Sequence, residues 1–331
     1  MLDFLNWDVV AYVGLLIVAF YMLSKGSDWF VDGAAGIATK LRIPQLIIGL
    51  TIVAMGTSAP EAAVSISSAF SPNGADITIS NIVGSNILNV LIILGISSVI
   101  TSLAVDKNTF IIDIPVTILA TVLLMIFGID AVILWWEAVI MLVIFIAYIG
   151  FLIYKAMKER KNVTNSLEPL AEEEPVKEIS TIKAIFLAIV GLAMIVLGSQ
   201  GAVESATYLA AKMGVDDKLI GLTVVALGTS LPELFTSVKA ALKGNADIAI
   251  GNVVGSNIFN LLLVVGLTGA ITPVPFAPSF MIDSAVALGA MLLLLFASLK
   301  GKKLGRVGGV LMLLSYAGYF VYLLFTNGLI G

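Results

Sequence analysis

Ten stretches of roughly twenty apolar residues follow one another along the chain, near 9–36, 44–70, 77–102, 110–128, 132–155, 181–211, 217–241, 247–271, 281–299 and 305–326. Each is long enough to cross the hydrocarbon core of a bilayer as a helix. Only 12% of the residues are charged, against about a quarter in a soluble domain, so lipid is the solvent this chain is built for. The expected fold is an all-α membrane protein with ten transmembrane helices.

The ten runs fall into two sets of five with related sequences. Ile48-Gly49-Leu50-Thr51 leads to Gly56-Thr57-Ser58-Ala59-Pro60-Glu61, and Ile220-Gly221-Leu222-Thr223 leads to Gly228-Thr229-Ser230-Leu231-Pro232-Glu233. An offset of 172 aligns the halves from Gly26/Gly198 to Ser65/Ser237. After one residue drops out, an offset of 171 aligns Gly84-Ser85-Asn86-Ile87 with Gly255-Ser256-Asn257-Ile258 and Asn89 with Asn260. Five spans per half make the copies insert in opposite directions, so the expectation is two inverted five-helix repeats, 1–155 and 181–331. Such repeats place a substrate site near the midplane, where the copies face each other. Between them, 156–180 carries Glu172-Glu173-Glu174 and Pro175 and reads as a solvated linker loop, too short for a β-sandwich regulatory module.

With ten spans, all eighteen Lys and Arg except Lys25, Lys212 and Lys218 fall on one side of the membrane. The positive-inside rule makes that side cytoplasmic, with the linker inside and both termini outside. A cell membrane, plasma or inner, is the expected location. The first eight residues hold two acids and no base, the wrong flank for a cleavable signal. Trp135 and Trp136 suit an interfacial belt, and the sequon Asn162-Val163-Thr164 reads as a chance match on the cytoplasmic side.

A glutamate in the middle of such a span is costly and marks a functional site by default. Thr57, Glu61 and Ser65 share one helical face at i, i+4 and i+8, with Ser58 alongside, and Thr229, Glu233, Ser237 and Ser230 repeat the pattern. Pro60 and Pro232 leave the carbonyls of Gly56 and Gly228 without their helical donors, to be met by protein donors, water or a cation. The third span offers Asn81, Ser85 and Asn89 at the same spacing, and the eighth Asn252, Ser256 and Asn260. Singly, a Ser, Thr or Asn in a membrane helix is most often interhelical glue, and Gly84 and Gly255 permit close packing. As a duplicated set built around two carboxylates, these groups form an all-oxygen donor inventory suited to hard cations such as calcium. Asp32 and Glu204 read as solvated helix ends, and Asp28, aligned with Gln200, has no duplicated charge.

His and Cys are absent, which removes the usual zinc, disulfide and triad chemistry. No phosphate-binding Gly-rich loop appears. Neither an enzyme nor an ATP-driven pump is expected, nor any cofactor, nucleic acid or protein partner.

The paired G-T-S-x-P-E motifs, each followed by a G-S-N-x-x-N helix, resemble the alpha repeats of the sodium/calcium exchanger family of the calcium/cation antiporter superfamily. The resemblance covers nearly the whole chain. It implies that the second, third, seventh and eighth spans enclose the ions while the first and sixth slide as a gating pair. It implies calcium carboxylates at Glu61 and Glu233, helped by Thr57 and Thr229. Sodium positions would draw on Ser58, Ser85, Ser230, Ser256 and the backbone oxygens of Ala54 and Ala226, with Asn89 and Asn260 as the central pair. Many microbial and potassium-dependent relatives carry Asp where this chain has Asn260. Two central amides resemble the potassium-independent animal exchangers.

Two ionised glutamates make a site that one calcium or two sodium ions neutralise. An empty site strands both charges in low dielectric at several kcal/mol each, so the empty carrier resists crossing and exchange is enforced over leak. A third sodium would make the cycle electrogenic. The expected function is therefore sodium/calcium antiport by alternating access. The runner-up is a proton-coupled antiporter of calcium or another divalent cation on the same fold, because a carboxylate is also neutralised by a proton. A cation channel fits inverted repeats less well.

Overall fold

The structure, a computed structural model, describes residues 7–70, 76–165, 180–215 and 226–326. It is overwhelmingly helical. In chain order the helices are α1 (Trp7–Leu41), α2 (Gln45–Thr57), α3 (Ala59–Ser68), α4 (Thr78–Ile100), α5 (Thr109–Phe127), α6 (Trp135–Asn165), α7 (Thr181–Lys212), α8 (Ala226–Thr229), α9 (Leu231–Leu242), α10 (Ala246–Ile271), α11 (Pro278–Ser298) and α12 (Arg306–Thr326). Among the described residues eight are long and apolar enough to cross a membrane, or nine spans if the bent pair α2–α3 counts as one. The seventh expected span, 217–241, is described only from Ala226, and the Ile-Gly-Leu-Thr stretch at 220–223 lies outside the described residues.

Three features differ from the sequence expectation. The second span is a helix broken at Ser58, with a 47° bend between its parts, because Pro60 cannot continue the helical ladder and is instead accommodated in the first turn of α3. Helix α6 runs to Asn165, ten residues beyond the expected end of the first repeat, and carries the sequon; 166–179 lies outside the described residues. Short strands, absent from an all-α expectation, close the interhelical loops. Strand β1 (Leu103–Ala104) pairs antiparallel with β4 (Lys303–Leu304), and β2 (Val132–Ile133) with β3 (Val274–Pro275).

These strand pairs join the two halves of the chain. The register places Leu103 opposite Leu304 and Val274 opposite Ile133, and the offset of 171 converts one pairing into the other. Strand β1 precedes α5 and β2 follows it, so the pairs lie at opposite ends of that spanning helix.

Burial identifies the centre. In α4 and α10, 78% and 94% of the apolar window is buried, against 11–33% in the other long helices. Apolar side chains on the outer helices, such as Val307, Ile146 and Phe296, are exposed, as a lipid-facing surface requires. Helix α2 packs on α10 through glycines: a Cβ at Gly251 would meet Leu46 O at 3.0 Å, and one at Gly255 would meet Leu50 O at 2.7 Å. Gly255 thus makes the close approach expected of it. A Cβ at Gly84 would meet nothing within 4 Å among the described residues. Helices α1 and α7 cross by the same device, with Gly26 against Gly191 O and Gly191 against Gly26 O.

Candidate functional site

Two helix breaks face each other across α4 and α10. Ser58 (φ −82°, ψ 6°) and Ser230 (φ −88°, ψ 2°) adopt the same bridging conformation, each ending a short helical segment and preceding a Pro-Glu pair. The breaks set Glu61 and Glu233 in the first turns of α3 and α9, where the helix dipole favours a negative charge. Both glutamates are buried, at 1% and 0% exposure. A π-helical segment, Gly49–Val53, precedes the first break, and two others, Asn89–Leu94 and Phe259–Val264, occupy the middle of α4 and α10. Such segments turn side chains off the regular helical face and recur at functional sites.

Hydrogen bonds repeat across the halves. Ser85 donates to Glu61 Oε1 and Ser256 to Glu233 Oε1, each at 3.5 Å. Asn81 Nδ2 donates to Ser65 Oγ at 3.0 Å and Glu61 O at 3.3 Å, while Asn252 Nδ2 donates to Ser237 Oγ at 2.9 Å and Glu233 O at 3.4 Å. Asn81 and Asn252 therefore hold the backbone of the two broken spans. Other bonds cross between halves. Ser58 donates to Glu233 Oε1 at 2.8 Å, Thr57 to Asn252 Oδ1 at 2.9 Å, and Ser256 reaches Ala54 O at 3.4 Å. Thr229 lies beside the Glu61 carboxylate, and Thr57 beside that of Glu233.

These contacts bring together Glu61, Glu233, Thr57, Thr229, Ser58, Ser85, Ser256 and Ala54; Ser230 forms the break just before Pro232 and Glu233, and Asn89 and Asn260 lie one turn beyond Ser85 and Ser256 on α4 and α10. Ala226, the twelfth residue singled out from sequence, opens α8 one turn before Thr229, as Ala54 precedes Thr57. Several oxygens are buried without a hydrogen-bond partner among the described residues: Glu61 Oε2, Glu233 Oε2, Asn89 Oδ1, Asn260 Oδ1 and Ser230 Oγ. The first four are acceptors only, in matched pairs. Buried acceptors without donors are costly, and a bound cation is the ligand that satisfies oxygens alone.

The halves are not identical. Ser199 of α7 donates to Gly228 O at 2.6 Å, meeting the carbonyl that Pro232 leaves bare. Its counterpart Ser27 donates instead to Leu23 O of its own helix at 2.7 Å. Asp32, expected to be a solvated helix end, is half exposed but ion-paired, and Asp28, whose role the sequence left open, pairs beside it. Lys243 Nζ lies 2.7 Å from Asp32 Oδ1 and 3.5 Å from Asp28 Oδ1, and Lys239 Nζ lies 3.5 Å from Asp28 Oδ2. These pairs tie α1 to α9.

Three groups of residues carry roles that residue-by-residue reading did not give them. Asn86 and Asn257 link α4 to α10 beside the site; their place in G-S-N-x-x-N was the available signal. Tyr148 donates to the buried Asp113 at 2.9 Å, and Tyr319 to Asp283 at 2.8 Å. These acids and tyrosines recur at offsets of 170 and 171, a duplication visible in the sequence. Ser199 carried only its alignment with Ser27.

Comparison with known proteins bears on the same residues. The family model described as "Sodium/calcium exchanger protein" matches residues 11–154 and 183–325, two segments that leave the linker between them. The chain is 38% identical over 316 residues to a putative antiporter, CaxA, of Alkalimonas amylolytica, covering 94% of this chain and 98% of that one. It is 32% identical over 345 residues to the sodium/calcium exchanger MaX1 of Methanosarcina acetivorans, covering 94% and 98% respectively. A solved structure of the sodium-calcium exchanger NCX_Mj superposes with a TM-score of 0.80 at 32% identity, covering 95% of this chain and 99% of that one. With two family-matching segments meeting at a buried pair of glutamates, the chain belongs to the sodium/calcium exchanger family and is an integral membrane cation antiporter.

Proposed function

We propose that the protein exchanges sodium for calcium across a cell membrane by alternating access, with net charge movement and without potassium. The observation that carries this reading is the matched set of buried, donorless oxygens: one carboxylate oxygen from each of Glu61 and Glu233 and one amide oxygen from each of Asn89 and Asn260. Glu61 and Glu233 neutralise calcium, and Thr57 and Thr229 complete its coordination. Ser58, Ser85, Ser230, Ser256 and the backbone oxygens of Ala54 and Ala226 serve sodium, whose single charge neutral ligands suit. The central amides Asn89 and Asn260 leave the site charge at that of two glutamates, which one calcium or two sodium ions cancel. A third sodium then adds a charge that moves with the membrane potential, at about 2.3 kcal/mol per charge per 100 mV.

Ten spans in two inverted five-helix repeats are the architecture that best accounts for the matched contacts. The duplicated hydrogen bonds and strand pairs support it. An inversion relates the strand pairs at opposite ends of α5 to each other, and 217–241 supplies the seventh of the ten crossings. Helices α1 and α7, which pack on each other through facing glycines, are suited to slide as a pair. The linker and the Lys/Arg-rich loops then face the cytoplasm.

The test is radiolabelled calcium uptake by proteoliposomes loaded with sodium or with potassium, for wild type, Glu61→Gln and Glu233→Gln. Uptake that requires internal sodium and both glutamates, and that responds to an imposed potential, is expected. Uptake driven equally by a pH gradient without sodium transfers the coupling to protons.

A further inference from the structure

We propose that Asn86 and Asn257 are positioning residues that fix which face of Asn89 and Asn260 the ions meet. The proposal rests on reading Asn89 and Asn260 as cation ligands. An asparagine side chain presents an acceptor oxygen on one side and a donor NH2 on the other. At a cation site the difference is decisive, because the oxygen coordinates and the NH2 repels. Something must therefore set the rotation of each amide.

Backbone carbonyls do so at one remove. A carbonyl oxygen accepts and cannot donate. Asn257 Nδ2 lies 3.2 Å from Asn86 O, so the nitrogen of Asn257 must point there and its Oδ1 must point away. That oxygen lies 3.0 Å from Asn89, which can meet it only with Nδ2. Asn89 Oδ1 is then left on the opposite side, buried and without a donor. The second half repeats each step. Asn86 Nδ2 donates to Asn257 O at 3.3 Å, Asn86 Oδ1 accepts from Asn260 Nδ2 at 3.2 Å, and Asn260 Oδ1 is buried without a donor. All four asparagines are at most 3% exposed, so bulk water does not reach these groups.

Ligands and positioners are thus crossed between halves. Asn89 of the first half is aimed by Asn257 of the second, and Asn260 by Asn86. Each positioner takes its polarity from a main-chain carbonyl of the opposite helix, so substitution of one positioner's side chain leaves the other's orientation intact. Asn257→Leu releases Asn89 only, and Asn86→Leu releases Asn260 only.

Calcium binding by the purified full-length protein, measured by calorimetry alongside thermal unfolding, tests the arrangement. Asn257→Leu is expected to weaken calcium binding about tenfold, the usual scale for losing a group that orients a metal ligand. An aspartate at position 89 offers oxygen on both faces and makes orientation irrelevant. In an Asn89→Asp background, Asn257→Leu should therefore change affinity less than threefold, while in an Asn260→Asp background its full effect should persist. Asn86→Leu should show the reverse pattern and provides the test if Asn257→Leu does not fold. Loss of equal size in every background, following thermal stability, overturns the proposal and makes the asparagines packing residues only. Wild-type affinity in both Leu variants, with binding abolished in Glu61→Gln, overturns the proposal and leaves the site intact. Absence of calcium binding by wild type overturns the site reading and the proposal with it.

Discussion

The Ser58 hydroxyl donates to Glu233 Oε1 at 2.8 Å, joining the break of one span to the carboxylate of another 175 residues along the chain. Ser256 shares the same oxygen at 3.5 Å. Glu233 is therefore oriented by hydroxyls from both halves, while its second oxygen meets no donor among the described residues. A hydrogen bond to a charged group contributes about 1.5–3 kcal/mol. Ser58→Ala is expected to weaken calcium binding by about tenfold or more, read by calorimetry. Unchanged affinity would show that Ser256 alone suffices to orient Glu233.

Without a cation the two buried glutamates repel each other and lack solvent. Glu61→Gln removes one charge and should raise the thermal midpoint measured in chelator while abolishing the further rise that calcium gives wild type. Stabilisation by a ligand grows with its concentration over its dissociation constant, so a calcium titration of the midpoint measures both effects. A variant still stabilised by calcium like wild type would remove Glu61 from the site.

Close packing of α2 on α10 leaves no room beside Gly255, where a Cβ would lie 2.7 Å from Leu50 O and 2.8 Å from Ala54 Cβ. Overpacking of this kind typically costs about 1–3 kcal/mol. Gly255→Ala should lower the thermal midpoint and, by displacing Ala54, weaken ion binding too. Gly150→Ala, on the outer helix α6 with nothing within 4 Å of the added Cβ, should be neutral or slightly stabilising. Equal effects of the two substitutions would contradict the tight α2–α10 contact.

Tyr148→Phe strips the buried Asp113 of its hydroxyl donor and should destabilise by about 1–3 kcal/mol. Combining it with Asp113→Asn should recover part of that loss, since the remaining group then carries its own donors. Thermal unfolding of the single and double variants, repeated at Tyr319 and Asp283, checks the coupling. Strict additivity would mean that the two side chains do not interact.

Much of the site was legible because a helix repeats every 3.6 residues. Spacing alone puts Thr57 with Glu61 and Ser85 with Asn89, and the prolines mark where the spans break. Periodicity gives a face and not the neighbour that the face meets. It could not pair Ser58 with Glu233, aim Asn89 through Asn257, or bring Ser199 to the carbonyl of Gly228. The same limit hid the ion pairs of Asp28 and Asp32. Their lysines lie more than two hundred residues away, on a helix whose angle to α1 depends on how the whole bundle closes. The β-pairs escaped notice because two-residue strands carry no periodicity of their own.

Those strand pairs bear on how the protein is made. Leu103 waits for Leu304, and at about 5–20 residues per second the ribosome needs some tens of seconds to supply it. Through that interval Ser58 and Asn89 of the first half lack Glu233 and Asn257, the partners they meet in the folded protein. Closure of the first-half loops and assembly of the candidate ion site thus both depend on the second half, whose contacts arrive in order from Glu233 through Asn257 and Val274 to Leu304.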